Sequence, residues 1–262
     1  MSSMDRHNCS IVNQEALTPD IYRLTLSSPR IAESASPGQF VHLRVAEGID
    51  PLLRRPFSIH GVNRSRGTID LLYRCVGKGT GLLCQCNSGK LDVLGPLGNG
   101  FALSTQLNAV VVAGGMGAAP VFFLLHELLD MGGYPIFFWG VKQTQEVFGI
   151  QNLLERGVDV RLASEDGLTG EPGLITNQLT EWLAAYPDAI HDPGYVCGPK
   201  AMLAAVDSAA KSTLNWQVSV EERMACGAGV CMGCAVRMRS GGYRLACSDG
   251  PVFRLGEVDW NG

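Results

Sequence analysis

NAVVVAGGMGAAPVFFLLHELL, residues 108–129, passes from a β-branched apolar run through a glycine turn into a second apolar stretch. An unbroken run such as AVVVA suits a strand buried on both faces, which belongs in a parallel sheet. In GGMGAAP, 114–120, glycines let backbone N–H groups approach a phosphate, and the helix that follows adds the positive end of its dipole. The same letters alone could be an ordinary tight turn. Their place between a strand and a helix is the context that a dinucleotide-binding turn needs. The segment therefore predicts a nucleotide at the carboxyl edge of a sheet, against Gly114, Gly115 and Gly117.

Downstream the rhythm repeats. After a helix expected over 119–131, PIFFWGV (135–141) and DVRLAS (159–164) read as strands, with a helix near 146–156 between them. LITNQLTEWLAAY (174–186) has helical periodicity, GYVCGP (194–199) is a strand and its turn, and AMLAAVDSAAKSTL (201–214) is an alanine-rich helix. Strands alternating with helices predict a doubly wound parallel α/β domain over 105–215. The second glycine turn offers Cys197, Gly198 and Pro199 at the same edge. Cys197 reads equally well as a buried strand-end thiol or as a neighbour of a nicotinamide ring. SEDG (164–167) also ends a strand there. Glu165 and Asp166 would repel a 2′-phosphate, which favours NAD over NADP, unless they simply form a solvated loop.

Upstream, residues 1–104 read as β structure. IYRLTL (21–26), QFVHLRV (39–45) and TIDLLYRC (68–75) are strands bounded by turn residues, and GPLGNG (95–100) breaks the pattern. Several short strands in so few residues predict a small antiparallel barrel. LLRRPFSI (52–59) sets two arginines and a serine beside an apolar strand, where arginine suits a phosphate and serine a ring nitrogen. A surface ion pair is the plain alternative for those arginines. GKGTGLL (77–83) reads as a glycine turn opening a short helix that Thr80 caps, with its N–H groups facing an anion. Two anion-binding features in a barrel ahead of a nucleotide domain predict a flavin dinucleotide, FAD.

The remaining segment, 216–262, carries Cys226, Cys231, Cys234 and Cys247 in the spacing C-x4-C-x2-C-x12-C. Glycine and alanine in CGAGVCMGC let a tight loop turn several thiolates inward. This is the plant-type spacing for a [2Fe–2S] cluster, which needs four thiolates. A structural zinc site or disulfides are the competing readings; zinc sites usually pair two short Cys units, and here the last cysteine stands alone. The five histidines form no metal-ligand spacing and read as ordinary surface or core residues.

Composition narrows the class. The net charge of −4 gives no electrostatic case for nucleic acid or an anionic membrane. Thirty-two glycines exceed the usual share of roughly 7% and imply many tight turns. An odd count of nine cysteines and a start without an apolar signal core predict a cytoplasmic, reducing compartment. The longest apolar run, 109–125, is broken by glycines and a proline, so a soluble chain with no membrane span is expected.

RRPFS, GKGT, GPLGNGF, GGMGAAP, CGPKAML, EERMACGAGVCMGC and ACSDGPVF occur in this order over essentially the whole chain. The combination resembles the electron-transfer subunits of NAD-dependent (class 1B) dihydroorotate dehydrogenases, within the ferredoxin–NADP reductase superfamily. The resemblance implies a multidomain α+β fold with FAD between barrel and α/β domain. FAD contacts then fall on Arg55, Pro56, Phe57, Ser58, Leu72, Tyr73, Arg74, Gly79 and Thr80, and the cluster ligands on the four cysteines. It also implies an FMN-containing catalytic partner, two chains of each kind, and electrons passing from FMN through the cluster and FAD to NAD⁺ in pyrimidine synthesis. No acid–base side chain is needed for such a relay. Ala113 stands where such chains often have glycine, a small departure at the pyrophosphate turn. An NAD(P)H-dependent reductase serving another acceptor, such as ferredoxin or a bifurcating complex, is the alternative. In those relatives an Asp often replaces the first ligand, so Cys226 favours the first reading. A non-enzymatic redox sensor is a third, which would not need the flavin and nucleotide motifs together.

Overall fold

The computed structural model describes residues 5–106, 108–210 and 215–261. Six antiparallel strands, β1 (Arg6–Ala16), β2 (Ile21–Ser27), β3 (Phe40–Arg44), β4 (Arg55–Asn63), β5 (Thr68–Arg74) and β6 (Lys90–Leu97), close a barrel in the order β1-β2-β5-β4-β3-β6. Leu24, Leu26, Val41, Leu43, Ile59, Ile69, Leu71 and Val93 are inaccessible in its interior. Closure leaves no open edge. β1 was not legible in the sequence because RHNCSIVNQEA is polar and buries only Cys9 fully. Its pairing with β2 and β6 makes it a strand.

The second unit is built on β7 (Asn108–Gly114), β8 (Tyr134–Val141), β9 (Asp159–Ser164), the two-residue β10 (Glu171–Pro172), β11 (Gly194–Cys197) and β12 (Trp216–Ser219). These pair in parallel in the order β10-β9-β8-β7-β11-β12. The chain leaves β7 in one direction and returns beside it at β11, so the switch point lies between those two strands. β7 is buried from Ala109 to Gly114, as a central parallel strand requires. Helix α3 (Ala118–Asp130), which follows the short α1 (Pro29–Ser34) and α2 (Lys78–Leu83), is apolar nearly all round because it is covered on two sides. It packs on the sheet and also on β4 of the barrel, where His60 Nδ1 lies 2.9 Å from the Ala119 carbonyl.

Two helices differ from the sequence reading. The one expected over 146–156 is confined to Ile150–Glu155, because Gly149 is left-handed (φ 66°) and Phe148 turns inward against Phe122 and Trp139. The alanine-rich helix is described over Lys200–Ala209; residues 211–214 of that expectation lie outside the described residues. The segment expected as a separate module from residue 216 supplies β12 to the parallel sheet. It also supplies β15 (Val252–Arg254), which pairs antiparallel to β12 at the sheet edge. Between them lie the cysteine loop and a hairpin of β13 (Ala235–Arg237) with β14 (Tyr243–Leu245). No helix among the described residues is long and apolar enough to cross a membrane.

Candidate functional site

At the carboxyl ends of β7 and β11 lies a cavity of about 580 Å³, and Gly114, Gly115, Gly117, Gly198 and Pro199 all line it. That volume suits a bound cofactor. Each glycine has a steric reason. A Cβ on Gly117 would sit 2.3 Å from the Cys197 carbonyl oxygen, and one on Gly114 would sit 2.5 Å from the Met202 sulfur. Gly115 is left-handed (φ 50°) with open space around it, so the turn conformation itself demands glycine there. Cys197 does not line the cavity. Its side chain is fully buried, and burial, with the Glu221 carboxylate nearby, pushes its thiol pKa well up. Glu165 faces the cavity, whereas Asp166 is engaged with the N–H and hydroxyl of Thr144, whose donation holds its carboxyl below the usual range. Sequence reasoning missed Lys142, Glu146 and Glu221 at this cavity; they come from loops without a glycine signature. The Glu221 carboxyl is crowded enough to have a raised pKa although part of the side chain meets solvent.

On the barrel, the two arginines of RRPFS part company. Arg54 is tied down, donating to the Asp92 carboxylate at 2.8 Å and to the Asp92 carbonyl at 2.9 Å. Burial alone would raise the Asp92 pKa, but Arg54 and Arg6 outweigh it and hold it down. Arg55 instead lies over Gly79, so close that a Cβ there would be 2.4 Å from its Nε. A guanidinium stacked on Gly79, in the first turn of α2 (Lys78–Leu83), brings together the two features that suit a pyrophosphate. Gly77 holds the N-cap position of α2, and Thr80 caps from the third helical residue: its hydroxyl accepts from the Val76 and Gly77 N–H groups at 3.0 and 3.1 Å, pinning the turn that Gly79 follows. Pro56 and Ser58 pair across β3 with His42 and Phe40. Phe57, Leu72 and Tyr73 turn their side chains into the core, and the Tyr73 hydroxyl donates to Gln14 at 2.9 Å. Their backbone is what remains for a ligand. Arg74 bridges Asp20 (3.2 Å) and Glu146 (2.9 Å), joining barrel to α/β domain at the edge of the cavity.

The four cysteines converge from 226–234 and 247. The thiols interact with one another: Cys226 with Cys231, and Cys247 with both Cys234 and Cys226. The outer pair is accessible, with Cys231 exposed, and the inner pair is buried. No group of three or more acidic, histidine or cysteine side chains among the described residues is arranged to hold a single metal ion. A two-iron cluster takes two thiolates on each iron, and these four cysteines supply that number. Backbone donors already face the sulfurs: Gly229 N–H to Cys247 Sγ at 3.1 Å, Ala228 N–H to Cys226 Sγ at 3.3 Å, and Cys247 N–H to Cys234 Sγ at 3.4 Å. Burial would raise the Cys226 pKa, yet the N–H groups of Ala228, Val230 and Cys231 and the Cys231 thiol bring it down to about 6. Cys247 is pushed up to about 12, by burial first and then by Cys234. Gly227 (φ 67°) and Gly229 (φ 75°) supply the left-handed residues that such a tight loop requires.

Residues 221–259 match the iron-sulfur cluster binding domain of dihydroorotate dehydrogenase B. Over 97% of its length the chain is 38% identical to the dihydroorotate dehydrogenase B (NAD(+)), electron transfer subunit of Bacillus mycoides (strain KBAB4), and covers 99% of that protein. The same subunit of Bacillus cereus (strain B4264) is 39% identical over the same shares. The chain belongs to the family of dihydroorotate dehydrogenase B electron-transfer subunits. Among solved structures it superimposes on the NADH-dependent reduced ferredoxin-NADP oxidoreductase described for flavin-based electron bifurcation. The TM-score is 0.84 with 26% identity, over 100% of this chain and 92% of that one. A ferredoxin NADP+ reductase from Neisseria gonorrhoeae, solved with FAD and NADP, shares the fold alone (TM-score 0.64, 18% identity, over 78% of this chain and 89% of that one).

As a member of the dihydroorotate dehydrogenase B electron-transfer family, the chain is an oxidoreductase component that uses FAD, a [2Fe–2S] cluster and NAD. One feature beside the cluster loop had no sequence signal. His42, on β3 of the barrel, is wholly buried against Gly227, and nothing in its own segment distinguishes it from a core histidine.

Proposed function

We propose that this chain relays electrons from a flavin-containing dihydroorotate-oxidising partner to NAD⁺, in the cytoplasm, as one of two such chains bound to two catalytic subunits. The convergence of four cysteine thiols in the same molecule as a dinucleotide cavity carries this reading. The printed name of the Bacillus proteins supports the partner and NAD(+). The cluster and flavin supply one-electron and hydride chemistry when bound. The chain's own residues do the rest. Cys226, Cys231, Cys234 and Cys247 hold the irons, with a loop N–H group donating to each of the four sulfurs. Arg55 with the Gly77–Gly79–Thr80 turn takes the flavin pyrophosphate, and the backbone of Pro56 to Ser58 and Leu72 to Arg74 flanks the rest. Gly114, Gly115, Gly117, Gly198 and Pro199 clear a path for the NAD pyrophosphate at the start of α3. Cys197 supports that cavity from beneath through its carbonyl, which lies against Gly117. Glu165 at the cavity wall disfavours a 2′-phosphate, and so favours NAD.

The unit boundaries that go with this reading are a flavin barrel over 1–104, a nucleotide domain over 105–215 and a cluster segment over 216–262 that shares the nucleotide sheet through β12 and β15. The test is reconstitution: the anaerobically purified protein, co-expressed with the catalytic subunit of its own host, should reduce NAD⁺ with dihydroorotate and elute as a complex larger than either chain. Failure to form a complex at micromolar concentration would sink the assembly. The second reading, electron transfer to ferredoxin, is favoured by the whole-length similarity to the bifurcating oxidoreductase. It predicts NAD(P)H-dependent ferredoxin reduction with no response to dihydroorotate.

A further inference from the structure

His42 is one of the buried polar side chains that the fold leaves without a hydrogen-bond partner among the described residues, and both of its ring nitrogens are in that position. The residue is 0% exposed, and neither Nδ1 nor Nε2 meets a hydrogen-bond partner among the described residues. Its backbone lies between Pro56 on β4 and Leu94 on β6, so the imidazole cannot leave the interior without opening the barrel. Phe40 stands edge-on at 6.3 Å between ring centroids. The imidazole's other face lies on the cluster loop, where a Cβ at Gly227 would come 2.5 Å from Nδ1 and 3.0 Å from Cε1. Gly227 directly follows Cys226, and the next N–H, that of Ala228, already donates to Cys226 Sγ. An imidazole carries at least one ring N–H in either protonation state, so this ring has a donor to place. A buried N–H with no acceptor is costly, and native folds rarely keep one.

The residue that the ring faces, Gly227, directly follows Cys226, one of the four thiols assigned to the cluster. We propose that His42 donates its ring N–H to a sulfur of the cluster, either Cys226 Sγ or a bridging sulfide, and so joins the flavin barrel to the cluster loop and raises the cluster's reduction potential. The inference rests on the reading that the four cysteines hold the [2Fe–2S] group. A reduced cluster carries one more negative charge than an oxidised one. A donor aimed at its sulfurs therefore stabilises the reduced form. His42 also sits across from Pro56, on the strand pair that carries Arg55 and Ser58. The contact thus lies on the side of the cluster that faces the flavin motifs.

The test uses the whole loaded protein with histidine labelled by ¹⁵N in the imidazole only. Pulsed EPR of the reduced cluster should show a weak ¹⁵N coupling that disappears in His42→Leu. In an EPR-monitored redox titration the His42→Leu cluster should be harder to reduce by roughly tenfold in the one-electron equilibrium, about 59 mV. His42→Gln, which keeps an N–H donor, should recover part of that shift, and the flavin midpoint should stay put in both. A normal reduced-cluster signal without ¹⁵N coupling in the unmutated protein overturns the proposal, even if the variants fail to load. So does a shift of the flavin midpoint with the cluster unmoved. Absence of any reduced-cluster signal in the unmutated protein strikes the ligand assignment itself, and the proposal with it.

Discussion

A single exposed thiol separates cofactor loading from folding in this molecule. Cys231 is exposed while Cys234 and Cys247 are buried, so replacing its sulfur by oxygen disturbs no core contact but removes one of four soft ligands. Cys231→Ser is therefore expected to lower iron from about two per chain towards none, with flavin content unchanged by absorbance. Simultaneous loss of flavin would show that the two sites are not separable. His60 governs a different property. Burial lowers its pKa to about 4, and the ring packs against Phe122 and Phe148 at the junction of barrel and α3. The unfolded chain takes up this proton below about pH 6.5 and the folded one only near 4, so acidification through that window favours unfolding. The cost is at most about 3 kcal/mol at 1.36 kcal/mol per unit. In His60→Phe the fall in melting temperature between pH 6.5 and 4 should be shallower than in the parent protein. Equal slopes would show that His60 is protonated in the folded state.

At the level of elements, the segment 95–101 acts as a strap. Asn99 donates its side-chain N–H groups to the carbonyls of Ser248 and Asp249 at 3.1 and 3.0 Å, and its backbone N–H to the Gly250 carbonyl at 2.6 Å. Gly98 faces Pro251 so closely that a Cβ would lie 2.6 Å from its ring. GPLGNG, a plain break in the strand pattern, is thus the contact that fixes the Cys247 loop against the barrel. Asn99→Ala is expected to cost about 1 kcal/mol, because the side chain is exposed and the backbone bond survives. Amide exchange should quicken selectively in 246–251. Unchanged exchange there would show that the loop is held by β15 alone.

Across the whole molecule, the C-terminal segment is held to the α/β domain by more than its two strands. Asp207 on the last helix is buried at 1% exposure, accepts from the Trp260 indole N–H at 2.8 Å, and pairs with Arg239. Removing the carboxylate strands two donors, one of them on a half-exposed arginine. Asp207→Ala should therefore cost about 2 kcal/mol rather than the larger sum for a fully buried pair. It should also loosen the 237–260 region before the barrel, which limited proteolysis can check by the order of cleavage. Arg74, with Asp20 and Glu146, performs the matching task between barrel and α/β domain.

Short-range pattern determined much of this. The glycine turn at 114–120 sits where its letters put it, because φ and close backbone approach are local properties. The barrel strands with clear alternation and the helix α3 follow equally from their own residues. The cysteine spacing gave the ligand count for the same reason. Other features needed the folded chain. The polar strand β1 exists only because β2 and β6 leave an edge for it. Gly149 shortened a helix whose periodicity looked sound, since one left-handed residue outweighs a weak pattern. Which arginine of RRPFS stays available depends on Asp92, nearly forty residues away in sequence. Cys247 meeting Cys234 and Cys226, and His42 lying on Gly227, bring together residues that share no neighbourhood in the chain. Spacing fixes which groups a loop can offer; packing between distant strands fixes what those groups face.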